Sequence, residues 1–172
     1  MPVSKIACVG SRDISEQVPA LLRAIGAEIV RRDWELHSGN ANGSDAAFAA
    51  GGNFRPELVH LHLPWPSYNA EQIVAGNVLH DALNEQLMQL AKSAHPAWSH
   101  LGQGSKKLMT RNASIVQTSD VVVAFQKSEG SGGTAHSLRI ASALGRPVIR
   151  VRLDSTTETI LSNIESALSS IN

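Results

Sequence analysis

The chain of 172 residues carries 15 basic and 15 acidic side chains and 42% hydrophobic residues. One domain of this size buries enough surface to hold a core without cross-links, and the single cysteine, Cys8, excludes an intrachain disulfide. No apolar stretch approaches the roughly 20 residues of a membrane span and no signal-peptide pattern opens the chain, so a cytoplasmic protein away from membranes is expected, and zero formal charge argues against nonspecific capture of nucleic acid.

In chain order, the apolar run Lys5–Val9 predicts a first strand, with Cys8 as a small buried hydrophobe, ending at Gly10-Ser11-Arg12. Val18, Leu21, Leu22, Ile25, Ile29 and Val30 then recur at spacings of three and four, which predicts an amphipathic helix with Pro19 in its first turn. A short strand Glu35–His37 leads into the loop Ser38–Asp45, a helix Asp45–Ala50 and a third strand Leu58–Leu63. Between residues 64 and 104 the pattern loosens: Pro64-Trp65-Pro66 breaks the chain, a helix is expected over Val78–Ser93, and His95-Pro96 ends it. This stretch reads as an insertion. Alternation resumes with a helix Ser105–Thr118, a strand Val121–Phe125, a glycine-rich turn Glu129–Gly133, a helix Thr134–Leu144, a strand Val148–Val151 and a helix Thr157–Ser169. Strands alternating with helices predict an α/β fold: a single Rossmann-like domain over residues 1–172, with a parallel sheet and helices on both faces.

In such a sheet ligands bind beyond the carboxyl ends of the strands, and three of those loops are rich in glycine and small polar residues. Glu129-Gly130-Ser131-Gly132-Gly133-Thr134 sits between a strand and a helix, where glycines permit close approach and the free N–H groups of the helix start favour a phosphate. Ser38, Gly39, Asn40, Gly43, Ser44 and Asp45 repeat that chemistry, although Ser44 or Asp45 also suits a helix cap. Gly10, Ser11 and Arg12 place a guanidinium after the first strand, a planar set of donors for phosphate. No Gly-Lys-Ser/Thr follows the glycines and no Gly-x-Gly-x-x-Gly follows the first strand, which excludes a Walker loop and disfavours a dinucleotide dehydrogenase.

The ordered set Val9-Gly10-Ser11-Arg12, Ser38-Gly39, Gly43-Ser44-Asp45-Ala46-Ala47, Arg111-Asn112, Ser131-Gly132-Gly133-Thr134 and Gly145-Arg146-Pro147-Val148 resembles the SLOG superfamily of Rossmann-like nucleotide-binding proteins. That superfamily includes the DprA (Smf) DNA-processing proteins and the LOG phosphoribohydrolases, and the first half of this chain is more similar to DprA. The resemblance implies a site for a nucleotide or nucleotide-derived phosphate, lined by the loop residues above with Arg111 and Asn112. It also implies engagement of single-stranded DNA as a DprA-like role, for which Arg12, Lys106, Lys107, Arg111 and Arg139 are the candidate cations. Met109-Thr110-Arg111-Asn112 is similar to the LOG segment Met-x-x-Arg-Lys with one residue fewer. In LOG enzymes that arginine and a glutamate cleave the N-glycosidic bond of a nucleoside 5′-monophosphate. Here the glutamate position holds Ser137, so a binder is favoured over a hydrolase, with Arg111, Glu129 and Asp45 as catalytic candidates should the chain be an enzyme. A sensor of a nucleotide signal would use the same site. No resident cofactor is expected, and a homodimer or higher homo-oligomer is.

His60 and His62 share one face of a strand with no third ligand at recognisable spacing, so no metal is expected. His80, Asp81 and Glu85 fall within about a turn of one expected helix, and a solvated face explains them. His136 follows the glycine loop, where it either touches a phosphate or occupies the helix surface. Trp65 and Tyr68 are candidates for stacking on a base, or they pack residues 64–104, with Trp98, onto the rest of the protein.

Overall fold

The computed structural model describes residues 2–80, 84–128 and 132–172. The strands are β1 (Lys5–Gly10), β2 (Glu35–Ser38), β3 (Val59–His62), β4 (Asn77–Leu79), β5 (Val121–Phe125) and β6 (Val148–Val151). The helices are α1 (Val18–Arg31), α2 (Ser44–Gly52), α3 (Glu85–Ser93), α4 (Gln103–Thr118), α5 (Gly132–Ala143) and α6 (Thr157–Ile171). The strands form one sheet in the order β4-β3-β2-β1-β5-β6, parallel at every pairing. It is the α/β Rossmann-like architecture expected from the alternation. Among the described residues no helix is long and apolar enough to cross a membrane.

Side-chain alternation divides the core between the two faces of the sheet. Ile6 and Cys8 of β1, with Val121, Val123 and Phe125 of β5, pack under α1, α2 and α6. Ala7 and Val9, with Val122 and Ala124, pack under α3, α4 and α5. Strands buried on both faces read as continuous apolar runs, and for that reason β5 was visible as Val-Val-Val-Ala-Phe.

The stretch 64–104 departs from its expected form. Val78 and Leu79 do not begin a helix; they pair with β3 as the edge strand β4, with His60 opposite Asn77 and His62 opposite Leu79. The helix starts later, at Glu85, where the Asn84 side chain accepts the N–H of Leu87 at 3.0 Å and caps it. Residues 64–104 therefore contribute a strand to the main sheet, and through Leu87 and Ala91 they contribute to its core. Asp81 lies outside the described residues.

Helices α1 and α2 cross where two glycines leave no room for side chains. A methyl group on Gly26 would lie 2.1 Å from the carbonyl oxygen of Phe48, and one on Gly51 would lie 2.0 Å from that of Arg23. Both neighbours are backbone, so relief requires the helices to separate. Gly26→Ala should destabilise the protein by about 1–3 kcal/mol, lowering Tm by several degrees at about 2–4 °C per kcal/mol for a domain of this size. Thermal denaturation followed by circular dichroism measures it, and an unchanged Tm would mean that the crossing yields without cost.

Candidate functional site

The chain runs from β1 outward through β2, β3 and β4, then returns to place β5 on the other side of β1. Neighbouring strands whose connections leave in opposite directions open a crevice at their carboxyl ends. A cleft of about 490 Å³ lies there, beyond Gly10 of β1 and against the start of α5. Of the residues singled out from sequence, Gly10, Ser11, Arg12, Asp45, Arg111, Asn112, Gly132, Gly133 and Thr134 line it. Glu129, Gly130 and Ser131 lie outside the described residues.

The β1 loop is held by its neighbours. The Ser44 hydroxyl and its backbone N–H both donate to the Ser11 carbonyl, at 2.8 and 3.1 Å, and the Lys127 N–H donates to Ser11 Oγ at 2.8 Å. Gly43 permits this approach. Its φ of +79° is open to glycine, and a side chain there would stand 2.0 Å from the Arg12 carbonyl oxygen.

Ser38, Gly39, Asn40, Gly43 and Ser44 do not line the cleft; they build the wall behind it. Ser38 donates to the Cys8 carbonyl at 2.6 Å. Asn40, with φ +57°, donates from its side chain to the carbonyls of Tyr68 and Asn69 and accepts from Gln72. The asparagine expected to bond a ligand thus fastens the loop to residues 68–72. Asp45 accepts the N–H groups of Gly39 at 3.2 Å and Ala41 at 3.3 Å.

Arg111, only 4% exposed, fills the space between these pieces. Its guanidinium donates to the Gly39 carbonyl and, at 3.0 Å, to Asn112 Oδ1, and it lies 5.4 Å from the Tyr68 ring centroid. Trp65 meets Tyr68 edge to face at 5.3 Å. Neither aromatic lines the cleft, and Tyr68 instead covers the buried cation. Burial raises the Asp45 carboxyl above its usual range, and the Arg111 charge opposes that rise. Burial likewise lowers Arg111, with Asp45 and Tyr68 holding it up.

The third wall is the start of α5, where Gly132, Gly133 and Thr134 line the cleft. The first N–H groups of a helix have no partner within it, so this end suits an anion. Ser137, at the LOG glutamate position, also lines the cleft and donates to the Gly133 carbonyl at 3.1 Å. Lys127, which sequence analysis passed over, lines it too, with Nζ 3.0 Å from Asp13. Only its place two residues after β5, in a loop at the carboxyl edge, signalled it. Lys106 and Arg139 turn elsewhere: Lys106 sits 5.8 Å from the Trp98 ring centroid, and Arg139 donates to the Ala94 carbonyl.

His136 is fully buried rather than on the helix surface. Its Nε2 lies 2.9 Å from the Ala91 carbonyl, which assigns the proton there, and the Asn112 amide approaches Nδ1 at 3.4 Å. It ties α5 to α3 beneath the cleft.

No family model matches the chain, and no curated protein is similar to it in sequence. Solved structures are similar in fold. DNA processing protein A from Helicobacter pylori, described for its binding of single-stranded DNA, superposes with a TM-score of 0.66 at 18% identity over 97% of this chain and 81% of that one. The Moco carrier protein of Chlamydomonas reinhardtii gives 0.67 at 17% identity over 98% and 99% of the two chains. DprA from Streptococcus pneumoniae gives 0.63 at 18% identity over 95% of this chain and 56% of that one. The chain therefore shares the Rossmann-like fold of these proteins.

Burial lowers the His136 pKa from its ordinary 6.5 to about 4, against the opposing pull of the Ala91 carbonyl. A depressed pKa means that the unfolded chain takes up the proton first as pH falls. The neutral ring's contribution is complete above pH 6.5 and is lost between pH 6.5 and 4, by an amount on the order of 3 kcal/mol. Urea midpoints at pH 7.5, 5.5 and 4.5 should fall through that window, and His136→Gln should flatten the slope. A variant as acid-sensitive as the wild type would remove His136 as a cause.

Proposed function

We propose that the protein binds a nucleotide or nucleotide-derived phosphate in the cleft between β1 and β5, in the manner of a DprA-like SLOG domain. One observation carries this reading: the amide-bearing start of α5 and the cations Arg12 and Lys127 line a single cleft at the point where the strand order reverses. The phosphate sits against Gly132–Thr134 and the side chain of Arg12 closes on it, while Arg111 acts from the wall as a fixed buried charge. Single-stranded DNA would enter through one of its phosphates, and the similarity in fold to a DNA-binding DprA supports including it among the ligands tested.

Gly133 offers a sharper test than Gly132. Gly132 has φ +81°, so any side chain there strains the backbone, whereas a methyl on Gly133 would meet only the Asn112 amide at 3.7 Å. Titration with nucleoside monophosphates, ADP-ribose and short single-stranded DNA should show saturable binding by the wild type. Arg12→Ala should weaken binding about tenfold or more, as expected for a lost charge-assisted hydrogen bond. Gly133→Val should block it by occupying the approach. Equal affinity in wild type and both variants would leave the α5 loop a simple turn.

A LOG-like hydrolase is the second reading, favoured by Asp45 lining the same cleft as Arg111. Binding alone leaves the chemical barrier unchanged, so the two readings separate on products. Incubation with ribo- and deoxyribonucleoside monophosphates should release no free base on chromatography. Base release that disappears in Asp45→Asn with binding retained would reverse that order.

A further inference from the structure

On the sheet face under α4, away from the cleft lining, β2 and β3 set three histidines and a glutamate side by side. His37 and His60 are directly opposite in the parallel register, and their rings stack at 4.5 Å with planes 7° apart. That separation is the inter-strand spacing carried into the side chains. Both rings turn Nε2 toward one atom, Glu35 Oε2, at 2.9 Å from His37 and 3.7 Å from His60. The longer approach is no hydrogen bond, and His60 Nε2 is buried without a partner. A buried ring nitrogen left unsatisfied beside a carboxylate and a second ring nitrogen is an incomplete set of ligands.

We propose that Glu35, His37 and His60 form a binding site for a borderline divalent cation of the zinc class. Their ligand atoms all lie within 4.8 Å of one another. The stacked rings hold their Nε2 lone pairs side by side, so an ion at about 2.0–2.2 Å from each donor requires the partly exposed His60 ring to tilt out of the stack toward Glu35 and His37. Two imidazoles and one carboxylate leave a fourth position, and the partial exposure of the Glu35 and His60 side chains, 21% and 18%, opens it to water.

The neighbours behind His37 supply the support that metal-bound histidines need. Its Nδ1 is 2.9 Å from His62 Nε2, and His62 Nδ1 is 2.9 Å from Ser114 Oγ. With an ion on His37 Nε2, the Nδ1–H donates to His62 and the His62 Nδ1–H donates to Ser114, which fixes tautomer and ring orientation. Without the ion, His37 Nε2–H donates to Glu35 and the chain runs in reverse, from the Ser114 hydroxyl through His62 to His37. The two arrangements hold the same number of protons, so binding displaces none from this chain. Lys5, opposite Glu35 in the register, places a positive charge nearby and makes the affinity moderate rather than extreme.

Calorimetric titration of metal-free protein with Zn²⁺ should give one ion per chain with a Kd in the micromolar range or tighter. Co²⁺ should show the intense visible absorption of a four-coordinate site. Glu35→Gln and His60→Ala should each weaken Zn²⁺ at least tenfold, and they avoid His37, whose loss could unfold the strand pair; melting curves check that both fold. The exposed His80→Ala and His100→Ala should bind as the wild type does. No saturable binding with ~100 µM Zn²⁺, one ion per two chains, or equal weakening by the exposed-histidine variants would overturn the proposal.

Discussion

Burying the Arg111 guanidinium is the constraint around which the carboxyl edge of the sheet is arranged. A charge of that size removed from water costs several kcal/mol unless it is paired and its donors are met. The partners come from four places in the chain: the Gly39 carbonyl after β2, Asp45 at the start of α2, Asn112 beside it on α4, and Tyr68 after β3. Three of these partners lie in loops or at a helix end, and only Asn112 stands within a helix, α4. Gathered on one cation, they hold the loop after β2, the stretch after β3 and α4 at fixed distances. Asp45 in turn draws the N–H groups of Gly39 and Ala41 inward, so the loop backbone is shaped by the anion that balances the arginine.

That arrangement explains why the loops singled out from sequence divide between the cleft lining and the wall behind it. The order of glycine-rich loops after strands was legible, because parallel strands buried on both faces write themselves as apolar runs and the loops punctuate them. The division of labour within a loop was not. Serine, glycine and asparagine suit a phosphate contact and equally suit the stitching of a buried turn, and Ser38, Asn40 and Ser44 do the second. Trp65 and Tyr68 follow the same logic: an aromatic face that could take a base covers a guanidinium instead.

Other omissions come from register, which a single sequence does not disclose. β4 is three residues long and half-exposed, too short to show alternation, and it exists because β3 offers a free edge. His60 and His62 were visible as same-face neighbours, but their companions Glu35 and His37 stand more than twenty residues away and meet them only through strand pairing. His136 appeared as a surface residue because α5 has polar positions all round. Packing of α3 onto that helix, from a stretch taken for an insertion, buries it.

The electrostatics of the cleft follow from which charges are already matched. Asp45 and Arg111 are both buried, and each lies in the other's field, so their charges largely cancel at the cleft wall. Asp45 Oδ2 also accepts two backbone N–H groups, which anchors the carboxyl group to the loop after β2. Arg12 and Lys127 stand at the exposed rim, and Lys127 shares its charge with Asp13 across a solvent-exposed pair of small net worth. The positive potential that meets an incoming anion is thus supplied by side chains in water, within about 8–10 Å of screening at ordinary salt. The buried pair shapes the wall of the cleft; on the proposed reading the helix start is where a phosphate would come to rest, and the rim cations would govern how strongly salt competes with it.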